Sequence, residues 1–121
     1  MEKKNFNNEM FAFTGILDGL TPIEKHQRRV VREGESPEFC VSELLLREDA
    51  RHPRKLTVPV YQELAEQLAA LNPVIGLTAI TAYLDSSVEP SADGQRHFNR
   101  LRVWKLEVTK LDTGEYWLLR V

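Results

Sequence analysis

The sequence predicts an all-β protein, a five-stranded barrel with one helix and an extra C-terminal β-hairpin. Two patterns support this fold class. Segments with period-two alternation of apolar residues recur along the chain between turn-forming residues. Only the stretch after Tyr61 has apolar residues at helical spacing. With 121 residues and 42% hydrophobic content, the chain has material for one core, so we expect a flexible arm over residues 1–9 and one domain over residues 10–121.

The first strand and a long connection occupy the beginning of the predicted domain. Residues 10–20 are rich in β-formers around Gly15, and a glycine inside a strand usually marks a bulge or a sharp bend. Residues 21–38 combine prolines, a glycine and many charges, which predicts a long loop. Val30 and Val31 could extend a strand partway into it.

The next two strands lead directly into the helix. Residues 38–48 predict strand two, although the three leucines at 44–46 could also be helical. A turn at 49–53 precedes strand three, in which apolar residues alternate: Leu56, Val58 and Val60. The helix follows Tyr61 and is expected to end at Asn72, because Asn tolerates the left-handed cap and the following proline cannot continue a helix.

The rest of the chain alternates between strands and turns. We expect strand four at 74–85, a turn-rich loop at 86–95, strand five at 96–111 and a final short strand at 115–121. Three strands, a helix and two further strands follow the order of the OB fold, a five-stranded barrel whose helix closes one end. The last strand then adds a hairpin arm.

Several segments resemble bacterial single-stranded DNA-binding proteins, the SSB family. Residues 58–68, VPVYQELAEQL, are similar to the strand-into-helix segment of that family, and Gly15-Ile16-Leu17 lies where its first strand has a glycine kink. Phe39-Cys40-Val41 corresponds to its apolar second strand, and residues 98–107, FNRLRVWKLE, resemble the last strand of short SSB-like domains. The resemblance covers most of residues 10–108 and implies an OB fold that binds single-stranded DNA. Unlike the family, the first loop of this chain contains no Phe, Tyr or Trp.

Strand five contains the main candidates for binding. Single strands need cations for their phosphates and flat side chains on which bases stack. This strand offers both: Arg96, Phe98, Arg100, Arg102 and Trp104. Alternation places Arg100, Arg102 and Trp104 on one face. The alternative is that Trp104 packs beneath the C-terminal hairpin against Tyr116 or Trp117.

Two further groups of residues extend the predicted nucleic-acid site. Arg54, Lys55 and Tyr61 are expected on the outward face of strand three, which belongs to the ligand surface in OB folds. Because Pro59 lacks a backbone donor, this strand could instead form an edge for an oligomer contact. Arg28 and Arg29 belong to a basic run in the first loop, where the neighbouring glutamates make a solvated mixed-charge loop the alternative.

Other function classes find little support in the sequence. The formal net charge is −2, the three histidines lie far apart, and no apolar run is long enough to cross a bilayer. Cys40 is the one cysteine, so no internal disulfide forms. We therefore expect no enzyme activity, metal, cofactor or small-molecule substrate, and a cytoplasmic location.

The sequence thus predicts a protein that binds single-stranded nucleic acid, DNA above all, without strong sequence preference, as an SSB-like or replication and recombination accessory protein. The alternative is an OB-fold module for protein interaction or assembly that does not bind nucleic acid. Exposed strand edges also predict a homo-oligomer, because an unpaired edge presents free donors and acceptors.

Overall fold

The computed structural model describes residues 9–31, 33–90, 94 and 97–121. The protein is mostly β, with a single helix in this described part. Its elements are β1 (Glu9–Leu20), β2 (Glu24–Gln27), β3 (Glu38–Arg47), β4 (Lys55–Tyr61), α1 (Gln62–Ala70), β5 (Thr78–Pro90), β6 (His97–Lys110) and β7 (Tyr116–Arg120). The predicted N-terminal arm falls outside the described residues except for Glu9, which already belongs to β1.

The strands form one curled antiparallel sheet. Their hydrogen-bonded order is β4-β3-β1-β5-β6-β7, and β2 pairs with β3 beyond the end of β1. The concave side holds the core, which all the longer strands and α1 supply: Leu17, Leu44, Leu46, Val58, Val60, Leu64, Leu68, Ile80, Leu84, Leu106 and Val108. An all-β architecture with one helix is therefore confirmed.

The structure corrects three predicted boundaries. Strand β5 continues to Pro90, into the segment predicted as a loop over residues 86–95. The connection at 21–38 contains the short strand β2, whose residues are all exposed and so lack any apolar alternation. Val30 and Val31 are exposed and lie outside it. The fourth predicted strand begins at Thr78 instead of residue 74, because the Thr78 hydroxyl bonds the backbone N–H and C=O of Val74 and holds a turn there.

The strand β4 passes directly into α1. Tyr61 is extended, with φ −110° and ψ 151°, and Gln62 takes a positive φ of 55° to redirect the chain. The Gln62 side chain accepts a hydrogen bond from the backbone N–H of Cys40 at 3.2 Å, which ties this junction to β3. At the other end, Asn72 has φ 48°, so the predicted left-handed conformation after the helix is confirmed.

Strand β1 belongs to both halves of the sheet. It pairs with β5 from Glu9 to Ile16 and with β3 from Ile16 to Leu20. Gly15 lies at this exchange of partners and is buried, and a Cβ atom placed there would meet the carbonyl oxygen of Arg47 at 2.8 Å. The register irregularity expected at this glycine lies slightly later, between Leu17 and Gly19. Gly15 is therefore required for close backbone approach.

We predict that Gly15→Ala lowers the free energy of unfolding by about 1–3 kcal/mol, because the added methyl group overlaps rigid backbone. Gly19→Ala is the matched control on the same strand. Its Cβ would meet only the Leu45 side chain at 3.5 Å, an ordinary contact. We expect that variant to be unchanged or up to about 1 kcal/mol more stable. Urea unfolding of both variants measures the difference, and equal stabilities would contradict the role given to Gly15.

Candidate functional site

Three rings from three neighbouring strands form a row on the convex face of the sheet. His26 of β2 lies opposite Phe39 of β3, with ring centroids 5.5 Å apart and planes 26° from parallel. Phe39 in turn lies 6.1 Å from the ring of Tyr61, at the end of β4. His26 and Tyr61 are exposed and Phe39 is half-buried. We call these three residues the aromatic row.

A cation lies beside the aromatic row. The guanidinium carbon of Arg28 is 5.4 Å from the centroid of the Phe39 ring. Arg28 Nε donates to the Ser36 carbonyl at 2.9 Å, and Nη1 lies 3.6 Å from Glu35. These contacts hold the guanidinium group over the ring. Arg29, the next predicted cation, is exposed.

Acidic groups also flank the row. Glu24 lies 3.3 Å from Nε2 of His26, and Glu35 accompanies Arg28 as described. A phosphate entering here must therefore compete with carboxylates, whereas a base can reach the exposed rings of His26 and Tyr61. The chemistry of this face favours stacking over charge.

The sequence prediction grouped Arg54 and Lys55 with Tyr61, but the structure separates them. Arg54 precedes β4, and its guanidinium carbon lies 6.0 Å from the centroid of the Phe13 ring on β1. Its Nε and Nη2 donate to the two carboxylate oxygens of Glu48 at 2.9 and 2.7 Å. Lys55 is exposed on the same face as Tyr61 but at the opposite end of the strand, about 20 Å away at 3.3 Å per residue.

The predicted cluster on β6 forms a second surface around Trp104. A register shift leaves Trp104 unpaired between Val103, which faces Leu84, and Lys105, which faces Tyr83. The half-buried indole therefore packs against Tyr83, with ring centroids 6.0 Å apart. The expected alternative partners, Tyr116 and Trp117, do not supply this ring contact.

The second surface also contains Lys105, which was not among the predicted residues, besides the remaining members of the predicted cluster. The ammonium group of Lys105 lies 4.1 Å from the Tyr83 ring centroid and 5.0 Å from that of Trp104. Arg102 is exposed and lies 3.9 Å from Asp85. The side chains of Phe98 and Arg100, and all of Arg96, lie outside the described residues.

Glu107 joins two tyrosines on this second surface. The Tyr83 hydroxyl donates a short hydrogen bond to Glu107. That bond, and after it partial burial, raises the pKa of Tyr83. The same bond lowers the pKa of Glu107 against the opposing effect of burial. Burial, followed by a bond to the same carboxylate, raises the pKa of Tyr116.

Other chemistry finds no assembled site in the described part of the chain. No three His, Cys, Asp or Glu residues there lie close enough together to hold a metal ion, and no helix there is long and apolar enough to cross a membrane. Cys40 is a free, half-buried thiol.

Comparisons with protein-family models and with curated proteins found no match to this chain. The SSB resemblance therefore stays a prediction. Sequence reasoning missed His26 and Phe39 as partners of Tyr61, and Tyr83 as the partner of Trp104. The sequence does show residues with rings on the predicted strands. Which of these rings lie side by side depends on the strand register, which the sequence alone did not give.

The pair of Glu48 and Arg54 gives a prediction about pH. Hydrogen bonds from the Arg54 side chain lower the pKa of Glu48 from 4.5 to about 2. Because the folded pKa is the lower one, this carboxylate stabilises the protein above its ordinary pKa, and that contribution is lost as the pH falls toward about 2. We expect the stability advantage of wild type over Glu48→Gln to shrink between pH 5 and pH 2.

Urea unfolding across that pH range measures the change. Glu66→Gln, at an exposed position on α1, controls for the loss of one negative charge. Parallel pH profiles for wild type and Glu48→Gln would contradict the assignment.

The Glu107 network gives a prediction at alkaline pH. Tyr83 and Tyr116 both have a raised pKa, so their bonds to Glu107 stabilise the fold below the ordinary tyrosine value of 10.0 and are lost as the pH rises through the higher folded values. In Glu107→Gln we expect tyrosine ionisation to shift to lower pH. The ultraviolet absorbance of tyrosinate reports this shift, and an unchanged titration curve would count against the network.

Proposed function

We propose that this protein is an OB-fold domain that binds single-stranded DNA without strong sequence preference. Bases stack on the aromatic row, and phosphates contact the cations beside it. The observation that carries the proposal is the alignment of His26, Phe39 and Tyr61 across three adjacent strands, with Arg28 over the central ring.

The strand arrangement supports the OB assignment. The hydrogen-bonded order β4-β3-β1-β5-β6, with the helix between β4 and β5, corresponds to the OB barrel when β2 and β7 are taken as additions. In that fold, the face of the second and third barrel strands and the loop after the first strand bind oligonucleotides. Here these parts are β3, β4 and the connection that contains β2. The aromatic row lies on all three.

The dimensions of the row also suit a flexible single strand. The ring spacings of 5.5 and 6.1 Å run across the strands of the sheet. Stacking of a base on an aromatic side chain contributes about 1–3 kcal/mol and tolerates any base, because every base has a π face. Binding by such contacts is expected to show little sequence preference.

The surface at Trp104 makes a smaller contribution in this proposal. Its indole is half-buried and Lys105 covers the adjacent Tyr83 ring. Arg102 is exposed and can contact phosphate. This surface therefore provides further contacts for a single-stranded nucleic acid that is bound at the aromatic row.

The main competing function is a protein-interaction module, and one surface favours it. Four apolar side chains near the start of β5 and the end of β6 are each about half exposed: Val74, Ile75, Leu77 and Leu111. Exposed apolar patches of this kind mark many interaction sites. The function as a DNA-binding protein requires the aromatic row, whereas the interaction module requires only this patch.

Fluorescence anisotropy with a labelled oligo-dT tests the proposal. We expect salt-sensitive binding, and Tyr61→Leu should weaken it roughly tenfold or more, because one stacking platform is lost. Phe11→Leu is the matched control, since Phe11 is 42% exposed and Tyr61 37% exposed, and Phe11 lies away from the row. No binding at low salt, or equal losses in the two variants, would overturn the proposal.

A salt series separates the roles of charge and stacking. For single strands the logarithm of the affinity falls with a slope of roughly −0.7 per phosphate contact. Arg28→Gln should reduce this slope by roughly 0.7, whereas Tyr61→Leu should leave the slope unchanged. An oligo-rU of the same length measures the preference for DNA, and equal or tighter RNA binding would contradict DNA as the substrate.

A further inference from the structure

Strand β7 has one edge that carries no strand in the described part of the structure. It pairs with β6 only, over Tyr116 to Arg120. Lys110 N–H donates to the Glu115 carbonyl at 2.8 Å, which fixes the phase of the ladder. Because bonded and non-bonded pairs alternate in antiparallel strands, Trp117 and Leu119 bond to β6, and the N–H and C=O groups of Tyr116 and Leu118 point away from it.

A second observation supports this phase. The Arg120 carbonyl, which belongs to the same outward set, accepts a hydrogen bond from Gln67 Nε2 of α1 at 3.4 Å. The helix thereby satisfies one end of the edge. The backbone groups of Tyr116 and Leu118 have no such partner among the described residues.

The side chains along this edge are apolar and accessible. Tyr116 is 54% exposed, Leu118 49% and Val121 78%. Edge strands usually avoid association by means of lysine, proline or a bulge. Strand β7, YWLLR, has no lysine, proline or bulge, and its one charged residue, Arg120, stands at the end that α1 reaches.

We propose that β7 pairs in antiparallel fashion with β7 of a second copy of this chain, and that the protein forms a twofold-symmetric dimer. Tyr116 of each copy lies opposite Leu118 of the other, so the two residues exchange backbone hydrogen bonds and pack their side chains together. This register uses the outward groups that α1 leaves free.

The edge is complementary to a second copy of itself, because Tyr116 and Leu118 each have outward backbone groups and an exposed side chain. In this register Arg120 of each copy lies opposite Gly114 of the other, and Glu115 lies opposite Leu119. No like charges meet. Only a short strand is joined, so the dimer is expected to dissociate on dilution.

Sedimentation or light scattering across a range of protein concentrations tests the dimer in the absence of nucleic acid. We expect a monomer–dimer equilibrium in wild type. Leu118→Lys should weaken the dimer about tenfold or more, because it places a charged lysine from each copy at the pairing edge. Val31→Lys is the matched control, since Val31 is 48% exposed and Leu118 49%, and Val31 lies outside both β7 and the apolar patch, so its dimer should match wild type.

Leu118→Pro provides a second variant. It removes an outward N–H without touching the β6 ladder, and proline is tolerated at such edge positions. Circular dichroism checks that each variant folds. A wild-type monomer at every concentration, or a dimer that survives both changes at position 118, would overturn the proposal.

Amide hydrogen exchange gives a direct readout at the proposed contact. The N–H groups of Tyr116 and Leu118 should exchange rapidly in dilute protein and slow down as the concentration rises. Those of Trp117 and Leu119, which bond to β6, should be protected at every concentration and serve as the internal control. Rapid exchange of Tyr116 and Leu118 at high concentration would also overturn the dimer.

Discussion

The close approach of two backbones at Gly15 is the constraint on which the rest of this structure depends. A strand that pairs with β5 over its first half and with β3 over its second must bend, and the bend brings its chain against the Arg47 carbonyl. Any side chain there would push the two halves of the sheet apart. Because the halves remain together, the apolar residues of both face one core.

The curl of the sheet also decides which residues meet on its outer face. Since β2 continues beside β3 beyond the end of β1, His26 comes to lie opposite Phe39. The direct passage from β4 into α1 then fixes Tyr61 at the end of its strand, next to the same ring. The aromatic row is thus a product of strand register. It contains residues from three separate parts of the chain, and none of them is informative alone.

This explains how much the sequence could predict. The longer strands could be predicted because alternate residues along them are buried. The end of α1 could be predicted because Asn72 tolerates the left-handed conformation. Strand β2 could not be predicted, because all its residues are exposed and only its pairing with β3 defines it as a strand. The parity argument placed Trp104 with Arg102 but could not place Lys105 beside them, because the unpaired residue in β6 changes the phase of the strand after that point. An argument from the alternation of side chains along a strand cannot detect such a bulge.

Charge and stacking contribute unequally on the outer face. The chain has 18 acidic and 16 basic residues, and near the aromatic row Arg28 is accompanied by Glu35 and His26 by Glu24. Each phosphate that binds there gains less than it would beside an unaccompanied cation, because it must also overcome a nearby carboxylate. A base that stacks on the rings is not opposed by a carboxylate in this way, because its π face carries no net charge, although on Phe39 it must share the ring with Arg28. If single strands bind this face, stacking must therefore supply most of the affinity, and the steep salt dependence typical of strongly basic nucleic-acid-binding proteins is not expected.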